Sequence, residues 1–214
     1  MPTKLLFLDC DSTLSSIEGV DELASFRSAD VLAQVEALTS AAMEGEIPIG
    51  EVFARRLELI RPTRAECAAI GQRYIDTVEP DAARVVAAAQ RSGWRPIILS
   101  GGFVPAILPL AAHLGIATLE AVPLHFAPDG TYTGFGHDFP TTRNGGKSEV
   151  IESYRARSEP ARIAMVGDGV SDLETRPVVD LFVGFGRYAE REVVRNGAHA
   201  YITALSDLPP LLDL

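Results

Sequence analysis

Asp9 and Asp11 stand two residues apart at the end of the apolar run Leu5-Leu6-Phe7-Leu8. Side chains alternate along a strand, so the two carboxylates can lean into one site. Ser12 and Thr13 follow, giving a turn rich in hydroxyl and backbone donors. One carboxylate can attack a phosphorus centre and form an aspartyl-phosphate. The other can move the proton that a leaving alcohol needs. Asp and Ser are also ordinary turn residues, so a solvated strand end fits the same pattern.

Three later groups extend this chemistry. Ser100-Gly101-Gly102 follows apolar Ile97-Ile98-Leu99. Glycines let a backbone approach an anion and the Ser hydroxyl adds a donor, although a plain βα turn reads alike. Lys147 lies in Asn144-Gly145-Gly146-Lys147-Ser148, at the start of the helical run Glu149–Tyr154. A lysine there opposes the helix dipole unless an anion bridges it and the first N–H groups. The spacing is not that of a nucleotide-binding lysine loop. Gly167-Asp168-Gly169-Val170-Ser171-Asp172 closes a third apolar run, as an acidic loop or as a tight turn. Asp9, Asp168 and one backbone carbonyl near Asp11 suit magnesium, which takes few protein carboxylates and fills its shell with water and phosphate. All four groups fall at strand ends or helix starts, and their joint occurrence favours a catalytic reading.

The elements that must carry these groups alternate between short apolar strands and longer helical patterns. That rhythm predicts an α/β fold with a parallel sheet. The expected strands are Lys4–Leu8, Arg95–Leu99, Arg162–Val166, Leu181–Val183 and Ala200–Ile202. Their following loops gather at the carboxyl edge of the sheet, where open α/β folds bind ligands. A helical block from Ser15 to Thr77 interrupts the rhythm, with Val20–Phe26, Val31–Glu44, Gly50–Ile60 and Arg64–Tyr74 as its helices. It reads as a lid, or as a helical extension of the core. Asp81–Arg91 is a further helix. Ala121–Phe126 and Thr131–Phe135 flank Pro128-Asp129-Gly130, a hairpin signal that predicts a small flap. Leu208–Leu214 reads as an apolar tail docked on the core.

The chain has 214 residues, enough for one sizeable core, or for one core plus a small appended domain. A net charge of −10 argues against a general nucleic-acid surface. Phosphate handling must then draw positive charge from local sources. No basic segment with an apolar core opens the chain, and no apolar run is long enough to cross a bilayer. Cys10 and Cys67 lack metal-ligand spacing and read as reduced thiols of a cytoplasmic protein, with Cys10 packed opposite Asp9 and Asp11.

The segments Asp9–Thr13, Glu18–Ala24, Ala42–Pro48, Arg56-Leu57, Ser100–Phe103, Gly145–Lys147 and Met165–Glu174 together resemble the phosphatases of the haloacid dehalogenase (HAD) superfamily. Glu18, Met43 and Arg56, within the insertion, point to the branch that acts on phosphoserine. The resemblance implies a HAD-like Rossmannoid core over residues 1–14 and 78–214, with a helical cap over 15–77. It implies Mg²⁺, with Asp9 as nucleophile and Asp11 as general acid and then base. It implies that Glu18 meets the amine of O-phospho-L-serine and Arg56 its carboxylate, with Met43 packed nearby. Ser100, Gly101, Gly102 and Lys147 would hold phosphate, and Ser171 would take a position where the family often has Thr or Asn. Asp9, Asp11 and Asp168 would serve the metal, with Asp172 supporting. Glu44 departs from the Gly of many relatives at the site mouth, and Phe26–Leu38 shows no match.

The resemblance thus implies hydrolysis of O-phospho-L-serine to serine and phosphate, the closing step of L-serine biosynthesis, by a monomer or homodimer without nucleic-acid or membrane partners. Alternatives are phosphoryl transfer to another small alcohol such as homoserine, hydrolysis of a different small phosphomonoester, and a phosphate-binding module without activity.

Overall fold

The computed structural model describes residues 3–44 and 46–214, without the side chains of Met43 and Ile49. Strand β1 (Lys4–Leu8) forms the axis of a six-stranded parallel sheet. Leu5, Leu6, Phe7 and Leu8 are all buried, as a strand covered on both faces must be. Leu6 and Leu8 pack with Ile98, Ala164 and Val166 on one face, while Leu5 and Phe7 pack with Ile97, Ile163 and Met165 on the other.

Four helices leave the sheet after β1: α1 (Gly19–Ala24), α2 (Ala29–Met43), α3 (Ile49–Ile60) and α4 (Arg64–Asp76). Thr63 and Glu66 form a capping box at the start of α4, and Glu66 also takes two hydrogen bonds from Arg27. The insertion leaves and returns side by side. Ser15 bridges Val78, and Glu79 donates its N–H to Leu14 O. The Glu79 carboxylate is buried between Arg187 and Tyr188.

Helix α5 (Ala82–Arg91) leads to β2 (Trp94–Phe103), and α6 (Val104–His113) leads to β3 (Leu119–Val122). Helix α4 lies against α6 so closely that a Cβ on Gly71 would come within 2.6 Å of Pro109. Next come β4 (Leu124–Phe126), β5 (Tyr132–Phe135), α7 (Gly146–Ser158), β6 (Arg162–Gly167) and the short helix α8 (Val170–Leu173). The chain ends through β7 (Leu181–Phe185), α9 (Glu192–Gly197), β8 (Ala200–Ile202) and two 3₁₀ turns that bury Leu208 and Leu212.

The sheet order is β3-β2-β1-β6-β7-β8. The chain builds outward from β1 to β3, then restarts beside β1 at β6. That reversal opens a crevice at the carboxyl ends of β1 and β6, where open α/β sheets bind ligands.

Two expectations need correction. Ala121–Phe126 is not one hairpin strand. Leu119–Val122 pairs parallel with β2 at the sheet edge, and only β4 pairs with β5. Pro123 carries no N–H and divides the two strands. Strand β2 also runs on to Phe103, so Ser100-Gly101-Gly102 is strand backbone, at the point where its register with β3 shifts. The hairpin tip reaches the insertion: Arg64 donates its N–H to Gly130 O.

Candidate active site

At the end of β1 the Asp9 N–H bonds to Val166 O at 2.9 Å, carrying the sheet pairing one residue further. Cys10–Leu14 then turn tightly, with Ser12 at a left-handed φ of 49° and Cys10 fully buried. This turn delivers Asp9 and Asp11 to one cavity of about 680 Å³, including its open mouth.

Lys147, in the first turn of α7, crosses the cavity floor. Its Nζ lies 2.8 Å from Asp9 Oδ1 and 2.6 Å from Asp172 Oδ1, with all three groups buried. Gly146 permits this: a Cβ there would sit 1.8 Å from Pro140 O. Burial pushes the Asp9 carboxyl well above its ordinary range, Asp172 adds to the rise, and Lys147 opposes it. Burial also disfavours the Lys147 ammonium, but Asp172 and Asp9 outweigh it, so the proton is held more tightly than usual.

Asp168 follows β6. It accepts a hydrogen bond from Thr13 at 3.2 Å and pairs with Arg191. Burial, then Asp172, raises its carboxyl to about 7. Asp172 sits in α8 and accepts the Gly169 N–H at 2.9 Å. Carboxylate oxygens of Asp9, Asp168 and Asp172 lie within 4.8 Å of one another. Asp172 is thus nearer to this set than expected, while the Asp11 side chain stands outside it.

Asp11 Oδ1 accepts two short hydrogen bonds, from Tyr74 Oη and the Gly19 N–H, each 2.6 Å. Its Oδ2 lies 3.4 Å from Ser100 Oγ, which itself accepts the Gly102 N–H. Burial raises the Asp11 carboxyl, and the Tyr74 and Gly19 bonds pull it back.

The opposite wall comes from the insertion. Glu18 accepts a hydrogen bond from Ser12 at 2.6 Å, and burial, then the Asp11 charge, pushes its carboxyl up to about 8. Arg56 on α3 is buried over the Phe53 ring, 5.7 Å from its centroid. Its Nη1 donates to Thr39 Oγ1, which donates to Asp21. Arg56 Nε is buried and has no partner among the described residues.

Asp9, Asp11, Glu18, Arg56, Gly101, Gly102, Lys147 and Ser171 all line the cavity. Ser100, Asp168 and Asp172 stand behind that lining. The Met43 side chain lies outside the described residues. Thr39, Phe53, Thr141 and Arg143 also line the cavity and carried no motif. The signal for Thr141 and Arg143 was only their place shortly before Gly145-Gly146-Lys147. Thr141 Oγ1 is buried and unpartnered among the described residues, as Arg56 Nε is.

A parallel sheet with a carboxylate pair at its topological switch, faced by an inserted helical wall, is the frame of one family. The family model described as haloacid dehalogenase-like hydrolase matches residues 6–175, and the chain belongs to that family. Within it the chain falls among the phosphoserine phosphatases. It is 35% identical to phosphoserine phosphatase of Mus musculus over 202 residues, covering 94% of this chain and 89% of that protein. In fold it is similar to a phosphoserine phosphohydrolase-like protein from Francisella tularensis, with a TM-score of 0.88 at 22% identity, over 98% of this chain and 99% of the other. A phosphoserine phosphatase solved as a phospho-aspartyl intermediate analogue gives 0.83 at 24% identity, over 99% of each chain.

Proposed function

We propose that this protein hydrolyses O-phospho-L-serine to L-serine and phosphate through an aspartyl-phosphate on Asp9. The observation that carries the reading is the division of the cavity. A buried Asp9–Lys147–Asp172 floor faces a wall that offers an acid, Glu18, and a cation, Arg56, whose Nε has no partner among the described residues. Phosphoserine carries a phosphate for the floor and an amine and a carboxylate for the wall.

In this reading Lys147 and the Gly101-Gly102 backbone, with Ser100 behind them, hold the phosphoryl oxygens and stabilise charge as it spreads over them. Asp9 attacks phosphorus, and the phosphorus–oxygen bond to serine breaks. Asp11 gives its proton to the departing serine oxygen, then takes one from the water that opens the aspartyl-phosphate. Glu18 receives the substrate amine, and the Arg56 guanidinium receives its carboxylate. Ser171 borders the phosphate.

Three buried carboxylates answered by Lys147 and Arg191 leave a surplus of negative charge, and their hard oxygens suit magnesium. Asp9, Asp168 and the Asp11 main-chain carbonyl would hold it, with Asp172 in support. Bound there, Mg²⁺ offsets repulsion between the Asp9 carboxylate and the phosphate dianion.

The same proposal divides the chain into a core of 1–14 and 78–214 and a cap of 15–77, which the Ser15–Val78 bridge supports. A closed cap would keep bulk water from the first step. The proposal also sets the protein in the cytoplasm, in serine biosynthesis, consistent with two free, buried cysteines. Among the described residues no helix is long and apolar enough to cross a membrane.

The test is phosphate release from O-phospho-L-serine with and without Mg²⁺, beside a panel of other phosphomonoesters. Magnesium-dependent release that favours phosphoserine, and falls by more than about a thousandfold in Asp9→Asn, is expected. Faster release from another ester would overturn the substrate, and an active Asp9→Asn would overturn the mechanism.

A further inference from the structure

We infer that Tyr74 is a positioning residue for Asp11: with the Gly19 N–H it pins one carboxylate oxygen and leaves the other to carry the transferred proton. The inference rests on the proposed acid–base role of Asp11. Tyr74 lies in the last turns of α4, 63 positions from Asp11, and its side chain is 1% exposed. Its hydroxyl lies 2.6 Å from Oδ1, and the Gly19 N–H lies 2.6 Å from the same atom. Two short donors use that oxygen's lone pairs. A proton on Oδ1 would face the Gly19 N–H, which can only donate.

The other oxygen is placed differently. Oδ2 lies beside Gly102, where an added Cβ would stand 3.2 Å away, and both residues border the cavity. Among the described residues its hydrogen-bond donor is Ser100 Oγ, at a longer 3.4 Å. Oδ2 is therefore the oxygen free to give a proton to the leaving serine and to take one from water.

The room for the hydroxyl is specified by residue type. A Cβ on Gly19 would stand 1.8 Å from Tyr74 Oη and 3.2 Å from Asp11 Oδ1, so no side chain fits there while the bond exists. Apolar packing of α4 would be served as well by Phe, which makes the buried hydroxyl the informative part of this residue. The helix that carries it is anchored on α6 through the Gly71–Pro109 contact. The carboxyl is thus oriented by a packed helix of the insertion as well as by its own turn.

Steady-state kinetics on O-phospho-L-serine at saturating Mg²⁺ test this with wild type, Tyr74→Phe, Gly19→Ala and Asp11→Asn, alongside circular dichroism and melting curves. Tyr74→Phe is expected to lower kcat about tenfold, the worth of one hydrogen bond to a charged group, with KM held within about twofold. The Mg²⁺ concentration for half-maximal rate should not move. Gly19→Ala keeps the hydroxyl but displaces it, and should also lower kcat. It carries the test if Tyr74→Phe does not fold. An unchanged kcat in Tyr74→Phe, or a loss wholly in KM, overturns the inference while an inactive Asp11→Asn leaves the proposed function standing. An active Asp11→Asn removes the acid–base role, and the inference with it.

Discussion

The floor and the wall of the cavity are built on opposite terms. On the floor, Asp9, Asp172 and Lys147 satisfy one another in direct buried ion pairs, and Arg191 and Thr13 hold Asp168. On the wall, Arg56 keeps a buried nitrogen unpaired among the described residues, and Glu18 is pushed toward its neutral form. A buried polar atom without a partner costs free energy, so the wall is the part of the site that gains most when a ligand supplies the partner. The floor is set for phosphoryl chemistry whatever the alcohol. The wall distinguishes one alcohol from another.

Breaking the floor should produce the largest effect. Lys147→Met leaves Asp9 and Asp172 buried without their cation, so we expect near-complete loss of phosphate release and destabilisation by about 3–5 kcal/mol, read by urea denaturation. On the wall, Arg56→Ala should leave folding nearly intact and lower kcat/KM for phosphoserine about a hundredfold, mostly through KM, as loss of a charge-assisted pair predicts. Thr141→Val removes a cavity hydroxyl that has no partner among the described residues and should raise KM by only about threefold, within the range of one neutral hydrogen bond.

The smallest effect lies in the frame of the wall. Arg27 and a main-chain bond to Thr63 hold the Glu66 carboxyl down at about 2, from an ordinary 4.5. Because the folded value is depressed, the stabilisation is present above the ordinary value and is lost as pH falls through about 2. The pair is partly exposed, so Glu66→Gln should cost only about 1 kcal/mol near neutral pH, and the gap to wild type should close in acid. A gap that widened on acidification would contradict this assignment.

The floor was legible in the sequence because its determinants are local. The close spacing of Asp9 and Asp11 after an apolar run marked the pair, although β1 ends at Leu8 and the Cys10–Leu14 turn, not strand alternation, brings Asp11 to the cavity. Gly-flanked loops marked Lys147 and Asp168. The helices of the insertion were likewise legible from their period and breakers. What escaped was set by contacts between distant segments. Tyr74 reaches Asp11 across 63 positions and Arg191 reaches Asp168 from beyond β7. Thr39 matters only because α2 and α3 pack together to bring it to Arg56. The split of Ala121–Phe126 turned on Pro123, whose missing donor separates two sheets that hydrophobic pattern alone runs together.

The most direct test of the division between floor and wall is a ratio. We would measure kcat/KM for O-phospho-L-serine relative to p-nitrophenyl phosphate, which lacks amine and carboxylate, in wild type and in Arg56→Ala. The account predicts that the ratio collapses in the variant through phosphoserine alone, while turnover of the nitrophenyl ester persists. An unchanged ratio, with both esters lost together, would show that Arg56 serves the chemistry of the floor and would contradict the account.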